Sequence, residues 1–213
     1  YTRSSDLEAA RTTFAKNIKT VLEKNKLDGI DLDFEWAENE KEYKDYSLAI
    51  LKMREVLGDK YLFSVSLHPV CYKISKEAIE AVDFISLQCY GPSPVRFPIE
   101  KYCSDIQMVL EYGIPKEKLV AGVPFYGVTK DNSKKTEAYF NFVQNGLVTS
   151  PAQNEVIYQG DTYVFDGQDN IRIKTRYAKE QKLKGMMSWD LATDLPLSDS
   201  RSLLKTMTEE LRE

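Results

Sequence analysis

Apolar residues in this chain recur at two periods that alternate along its length. Short apolar or alternating runs, "GIDLDF", "YLFSVSL", "VDFISLQCY", "LVAGVPFY" and "KGMMSW", have the length and residue types of strands. Segments with helical spacing lie between them. Tyr43, Tyr46, Ile50, Met53 and Leu57 form one apolar stripe ended by Gly58, and Ile99, Tyr102, Ile106, Val109 and Gly113 form another behind Pro98. Shorter helices are expected over about 74–81 and 170–183, and "SRSLLKTMTEEL" closes the chain as a helix. Ahead of the first strand, residues 1–25 read as an amphipathic helix. Ser5 and Glu8 stand there in capping-box spacing, and Leu7, Ala10, Phe14, Ile18 and Val21 recur at helical intervals.

Strands alternating with helices predict an α/β fold, a parallel sheet covered by helices that is either a closed barrel or an open doubly wound sheet. Strand starts fall near residues 28, 61, 83, 117 and 184, and the last interval is too long for one helix. Rich in Gly, Asn, Asp and alternating aromatics, it predicts a small α+β subdomain over 128–166, inserted in the domain that spans 1–213. Hairpin-like strands are expected around Glu155 to Phe165.

Composition narrows the classes of partner. The chain has 213 residues, 42% of them hydrophobic, enough for one large domain with a sizeable core. With 29 basic against 33 acidic residues there is no broad basic field to attract nucleic acid or an anionic membrane surface. No window approaches the ~20 apolar residues of a membrane span, and the opening "YTRSS" lacks the features of a signal peptide. A start on Tyr1 suggests an excised or processed chain. Cys71, Cys89 and Cys103 have no CxxC spacing; three buried thiols are expected, with one bridge left open as an alternative.

Composition does not account for "DGIDLDFEW" at residues 28–36. On a strand, Asp31, Asp33 and Glu35 share one face while Ile30, Leu32 and Phe34 take the other, against helices. Carboxylates in a row on a buried strand repel one another and lose hydration, so at least one is expected to keep its proton near neutral pH. General acid catalysis needs that condition: a carboxyl group of ordinary pKa about 4.3, raised until it can hand over a proton. Glu35, last in the row and at the C-terminal end of the strand, is the best candidate for the acid. Three other readings stay open. The row could hold Mg²⁺ or Ca²⁺, although a calcium loop sets polar residues and a turning Gly between its ligands. It could be the DxD pair of a metal-dependent nucleotide-sugar transferase, or a hydrogen-bonded cluster with no chemistry.

Together Asp28, Gly29, Asp31, Asp33 and Glu35 resemble the DGxDxDxE signature of glycoside hydrolase family 18, the chitinases and endo-β-N-acetylglucosaminidases. In the family's chain order, "DFISLQCYG" resembles its sixth barrel strand, "LVAGVPFYG" its seventh and "GMMSWDLATD" its eighth, so the resemblance covers nearly the whole chain. It implies a (β/α)8 TIM barrel of which this chain carries only the C-terminal five βα units, strands four to eight. A whole barrel takes ~250 residues, so a fragment, or an extra N-terminal segment completing the barrel, is expected. The implied activity is that of a retaining glycoside hydrolase cleaving β-1,4-linked N-acetylglucosamine in chitin or chito-oligosaccharides. The substrate's own acetamido oxygen would be the nucleophile, an exception to the two-carboxylate scheme. No metal or organic cofactor is implied.

Carried over by motif position, Glu35 would protonate the leaving oxygen and later activate water. Asp33 would hydrogen-bond the acetamido N–H, Asp31 would set the charge state of Asp33, and Tyr90 would orient the acetamido carbonyl. Gln88 would line the same wall, Trp189 would stack under the sugar, Trp36 would flank the acid and Tyr126 would line the cleft. Core packing is an equal expectation for Trp36 and Tyr126. The sequence departs from the family at Gly91, where many members have Asp or Asn, at "WAENE", where many have Pro, and at Val128, where Arg is frequent. Two alternatives within the family are an endo-β-N-acetylglucosaminidase acting on the chitobiose core of N-glycans and a non-catalytic chitin-binding lectin. A substrate outside the cell implies secretion. The single histidine, His68, follows a strand end and could touch substrate, but an exposed or capping imidazole is the commoner case, and there are no partners for a Ser/His/Asp triad.

Overall fold

A computed structural model describes residues 4–212, with side chains from Leu7 onward, so the Ser5 side chain of the expected Ser5–Glu8 capping box lies outside what is described. In chain order the elements are α1 (Ser4–Asn25), β1 (Gly29–Asp33), α2 (Glu40–Leu57), β2 (Leu62–Leu67), α3 (Lys76–Ala81), β3 (Phe84–Leu87), α4 (Ile99–Tyr112), β4 (Leu119–Pro124), β5 (Tyr126–Thr129), β6 (Thr136–Ala138), α5 (Tyr139–Gln144), β7 (Glu155–Tyr158), β8 (Asp161–Val164), α6 (Gln168–Glu180), β9 (Gly185–Trp189) and α7 (Leu203–Arg212). No described helix is long and apolar enough to cross a membrane.

The main sheet has the order β1-β2-β3-β4-β9, and every pair in it is parallel. Its strands succeed one another in one direction without reversing, whereas a doubly wound sheet reverses at a switch point. Five consecutive βα units of a (β/α)8 barrel fit this order, and the doubly wound alternative does not. Among the described residues the outer edges of β1 and β9 have no pairing partner.

Local sequence explains where the helices start and stop. Asn39 accepts a hydrogen bond from the Glu42 N–H at the head of α2, and Gly58 ends that helix at φ 64°, a conformation that suits a residue without Cβ. Ser75 caps α3 through the Ala78 N–H, and Gly113 closes α4 in the left-handed region. The predicted stripes face the sheet: Tyr46, Ile50, Met53 and Leu57 from α2 and Tyr102, Ile106 and Val109 from α4 share one core with Phe63, Val65, Leu67, Ile85, Leu87, Ala121 and Val123. Each of the Val, Leu, Ile, Met and Phe side chains among them contributes about 1.5–3 kcal/mol relative to exposure.

The stripe expected on α1 is a correction. Its buried residues are Ala15 and Leu22, while Phe14 is 43% and Val21 48% exposed. The cause lies in packing, since α1 lies against α2 and is tied to it by the Arg11–Asp45 ion pair at 2.7 Å. Its other apolar flank has nothing on it among the described residues.

Between β4 and β9 the chain builds a second, antiparallel sheet in the order β6-β5-β8-β7, starting at Tyr126. The β7–β8 hairpin turns through Gln159 and Gly160, both at positive φ, as a tight two-residue turn requires. Phe142 of α5 fills its underside against Tyr163 and Phe165, with ring centroids 5.5 and 5.4 Å away. Asp166, which leads into α6, meets Lys174 at 2.6 Å with both side chains fully buried. The three cysteines are free; Cys71 and Cys89 are buried, but Cys103 is only half-buried on α4, which corrects the expectation of three buried thiols.

Candidate active site

Strand β1 brings its carboxylates to the inner face because it can approach β2 closely. A Cβ at Gly29 would lie 2.2 Å from the Leu62 carbonyl oxygen, so only glycine allows this spacing. The register then sets Asp31 opposite Ser64 and Asp33 opposite Ser66. Ser64 Oγ donates to one carboxylate oxygen of Asp31 at 2.6 Å, and Ser66 Oγ donates to the other at 2.7 Å. Asp33 accepts from Gln88 Nε2 at 3.1 Å.

The expectation of a buried row is corrected. Because β1 is an edge strand, Asp31, Asp33 and Glu35 are all exposed, and Glu35 lies beyond the end of the strand. Phe34 on the opposite face is also 42% exposed, although its ring packs 5.2 Å from Tyr46. At Asp33 the shift has the expected direction. Loss of hydration, then the charge of Glu35, then that of Asp31 raise its pKa, against a smaller lowering by the Gln88 hydrogen bond.

The C-terminal ends of the other strands supply the facing wall. Asp33, Glu35, Trp36, His68, Gln88, Tyr90, Gly91, Pro92, Tyr126 and Trp189 line one cleft of about 250 Å³. Seven of the eight candidate residues therefore meet there, while the eighth, Asp31, does not line the cleft and is held by Ser64 and Ser66. Gln88 and Tyr90 are buried, whereas Trp36 and Trp189 are 37% and 55% exposed, so neither indole is core packing. Tyr126 is half-buried, with its ring edge to face with those of Tyr90 and Phe97. Burial holds the Tyr90 phenol protonated far above neutral pH, which leaves it a hydrogen-bond donor. A Cβ at Gly122 of β4 would lie 2.9 Å from Tyr90 Cε1, so the glycine makes room for that ring.

A second cavity of about 300 Å³ adjoins the cleft across Pro92, Tyr126 and Trp189, and adds Glu137, Asp190 and Thr193. A more apolar groove of about 350 Å³ between α1 and α2 contains Leu7, Phe14, Leu32 and Phe34, and its charged lining residues include the paired Arg11 and Asp45. It lacks the convergent polar groups that chemistry needs. Among the described residues no group of three or more His, Cys, Asp or Glu side chains is arranged to hold a metal ion.

Three contributors went unassigned from sequence. Ser64 and Ser66 carried a signal, two small polar residues at period two within "FSVSL" that share a face with the carboxylates across the register. His68 carried none: its place depends on β2 ending between β1 and β3, and it is 8% exposed rather than solvated.

A barrel segment with an acidic, aromatic-walled cleft at the C-terminal ends of its strands defines the structural class. The profile described as "Glycosyl hydrolases family 18" matches residues 1–194. The chain belongs to that family. It is 23% identical over 248 aligned residues to "Probable chitinase 2" of Drosophila melanogaster, which covers 86% of this chain and 51% of that protein. It superposes on the GH18 chitinase ChiB from the chitin utilization locus of Flavobacterium johnsoniae with a TM-score of 0.76 and 28% identity, covering 93% of this chain and 64% of that one. A chitinase-like agglutinin, RobpsCRA from Robinia pseudoacacia, shares the fold with a TM-score of 0.78 at 18% identity, covering 98% of this chain and 74% of that one. The chain spans about half or less of the curated chitinases it matches first.

Proposed function

We propose that this chain carries the catalytic cleft of a retaining glycoside hydrolase acting on β-1,4-linked N-acetylglucosamine, with chitin or chito-oligosaccharides as substrate. The observation that carries this reading is the convergence of Glu35, Asp33, Gln88, Tyr90 and Trp189 on one cleft of about 250 Å³. Glu35, exposed beyond β1, protonates the glycosidic oxygen and then deprotonates the attacking water. Asp33, raised in pKa, holds the acetamido N–H as the acetamido oxygen attacks the anomeric carbon. Asp31, fixed by two serine hydroxyls, supplies the charge that tunes Asp33. Tyr90 donates to the acetamido carbonyl, and the exposed indole of Trp189 stacks on the apolar face of the sugar.

A polymer outside the cell makes an exported protein the expectation, and the unpaired edge of β1 suits a preceding βα segment that would complete the barrel. The openness of that edge also favours a second reading, binding of chitin without turnover, as does the fold shared with an agglutinin. Hydrolysis of a fluorogenic chitotrioside by the wild-type chain and by Glu35→Gln separates the two. Turnover lost in Glu35→Gln supports the hydrolase; tight chitotriose binding with no turnover in either supports the lectin.

A further inference from the structure

The proposed chemistry gives no task to the one histidine of the chain. His68 follows β2, which lies between β1 and β3, and so stands between the wall that bears Glu35 and the wall that bears Tyr90. Both ring nitrogens are engaged: the Val70 N–H donates to Nδ1 at 3.2 Å, and Nε2 lies 3.1 Å from the Tyr90 carbonyl oxygen. A donor facing one nitrogen and an acceptor facing the other fit a single form, the neutral ring with its proton on Nε2. The same ring meets Trp36, the residue bonded to Glu35, edge to face at 4.8 Å. Glycine follows Tyr90, so no side chain competes for the space beside the imidazole; a Cβ at Gly91 would lie 3.9 Å from Nε2.

The surroundings keep the ring neutral. Burial, then the charge of Arg96, lowers its pKa from 6.5 to about 4; the Tyr90 carbonyl and Asp105 act in the opposite sense, and Lys101 adds to the lowering. Arg96 and Lys101 are themselves paired with the buried Asp105.

We propose that His68 is a positioning residue that fixes the separation of the two cleft walls, tethering the Tyr90 main chain through Nε2 while its ring braces Trp36 beside Glu35. The proposal rests on the reading of Glu35 and Tyr90 as partners around one sugar. Its weight comes from geometry, since a displacement of about 1 Å in a reacting group costs up to ~10²-fold in rate.

The test compares the full chain as wild type, His68→Phe and His68→Gln. Phe keeps an aromatic ring against Trp36 without a donor, and Gln keeps a donor without a ring. With fluorogenic chitotrioside, kcat falls about tenfold or more in His68→Phe while KM stays within about twofold, and His68→Gln recovers part of the loss. The ¹⁵N spectrum of the wild-type imidazole, unambiguous because the chain has one histidine, shows the proton on Nε2 and a titration midpoint near 4. Unchanged kcat in His68→Phe beside a lowered melting temperature reduces the residue to packing and overturns the proposal. A proton on Nδ1 overturns it equally, even where His68→Phe fails to fold, because that form cannot donate to the Tyr90 carbonyl. Absence of turnover in the wild type overturns the hydrolase reading instead, and the tether is then judged on the ring spectrum.

Discussion

The two walls of the cleft differ in how they are held. On the β1 side Asp31, Asp33 and Glu35 are exposed at a sheet edge, with Asp31 held by two serine hydroxyls and Asp33 by one glutamine amide. On the other side Gln88 and Tyr90 are buried among strands whose helices pack through Tyr102, Lys174 and Asp166, all of them also buried. On the proposed reading, the groups that exchange protons lie on the exposed wall, while Tyr90, which orients the acetamido group, lies in packing. Substitutions on the first wall should therefore cost turnover and spare stability, and those behind the second should do the reverse.

The largest effect expected is on the exposed wall. Glu35→Gln lowers kcat about 10²–10⁴-fold and leaves the unfolding free energy within about 0.5 kcal/mol, checked by chitotrioside kinetics beside urea denaturation. A matching loss of stability would erase the contrast between the walls. Lys174→Met is the converse. It leaves Asp166 buried without its partner, so the chain loses about 3–5 kcal/mol in urea unfolding.

A smaller effect is a pH dependence. His68 has a folded pKa of about 4 against an ordinary 6.5, so on acidification the unfolded chain binds the proton first. Stability contributed by the neutral ring is complete above pH 6.5 and is lost as pH falls toward 4, in total about 3 kcal/mol. His68→Phe should lack this part of the slope between those two values when urea midpoints are compared across pH. The raised pKa of Asp33 acts in the opposite sense near its own titration and is common to both proteins. The smallest effect belongs to the uncovered flank of α1. Phe14→Glu with Val21→Lys changes unfolding free energy by less than about 0.5 kcal/mol but reduces self-association in sedimentation velocity, since both residues face solvent.

Much of this architecture is legible from pattern. The stripes of α2 and α4 and the five parallel strands follow from apolar periodicity, because each stripe has a face of the sheet to cover. Where a partner is missing, periodicity misleads: Phe14 and Val21 continue the stripe of α1 yet lie exposed. The row at 28–36 stands out in the sequence because three carboxylates at period two share one face of a strand. Its exposure is not legible, since that depends on β1 lying at an edge. Burial of His68 also arises from strand order, which no local window contains.

The stereochemistry of the first product tests the central claim most directly. Proton NMR of a chito-oligosaccharide in the first minutes of digestion reports which anomer is released before mutarotation. An acetamido oxygen acting as nucleophile in a Glu35-driven cleft releases the β anomer first, and Glu35→Gln abolishes the signal. Release of the α anomer first would mean that water attacks directly, and would contradict the assignment of Asp33 and Tyr90 to the acetamido group.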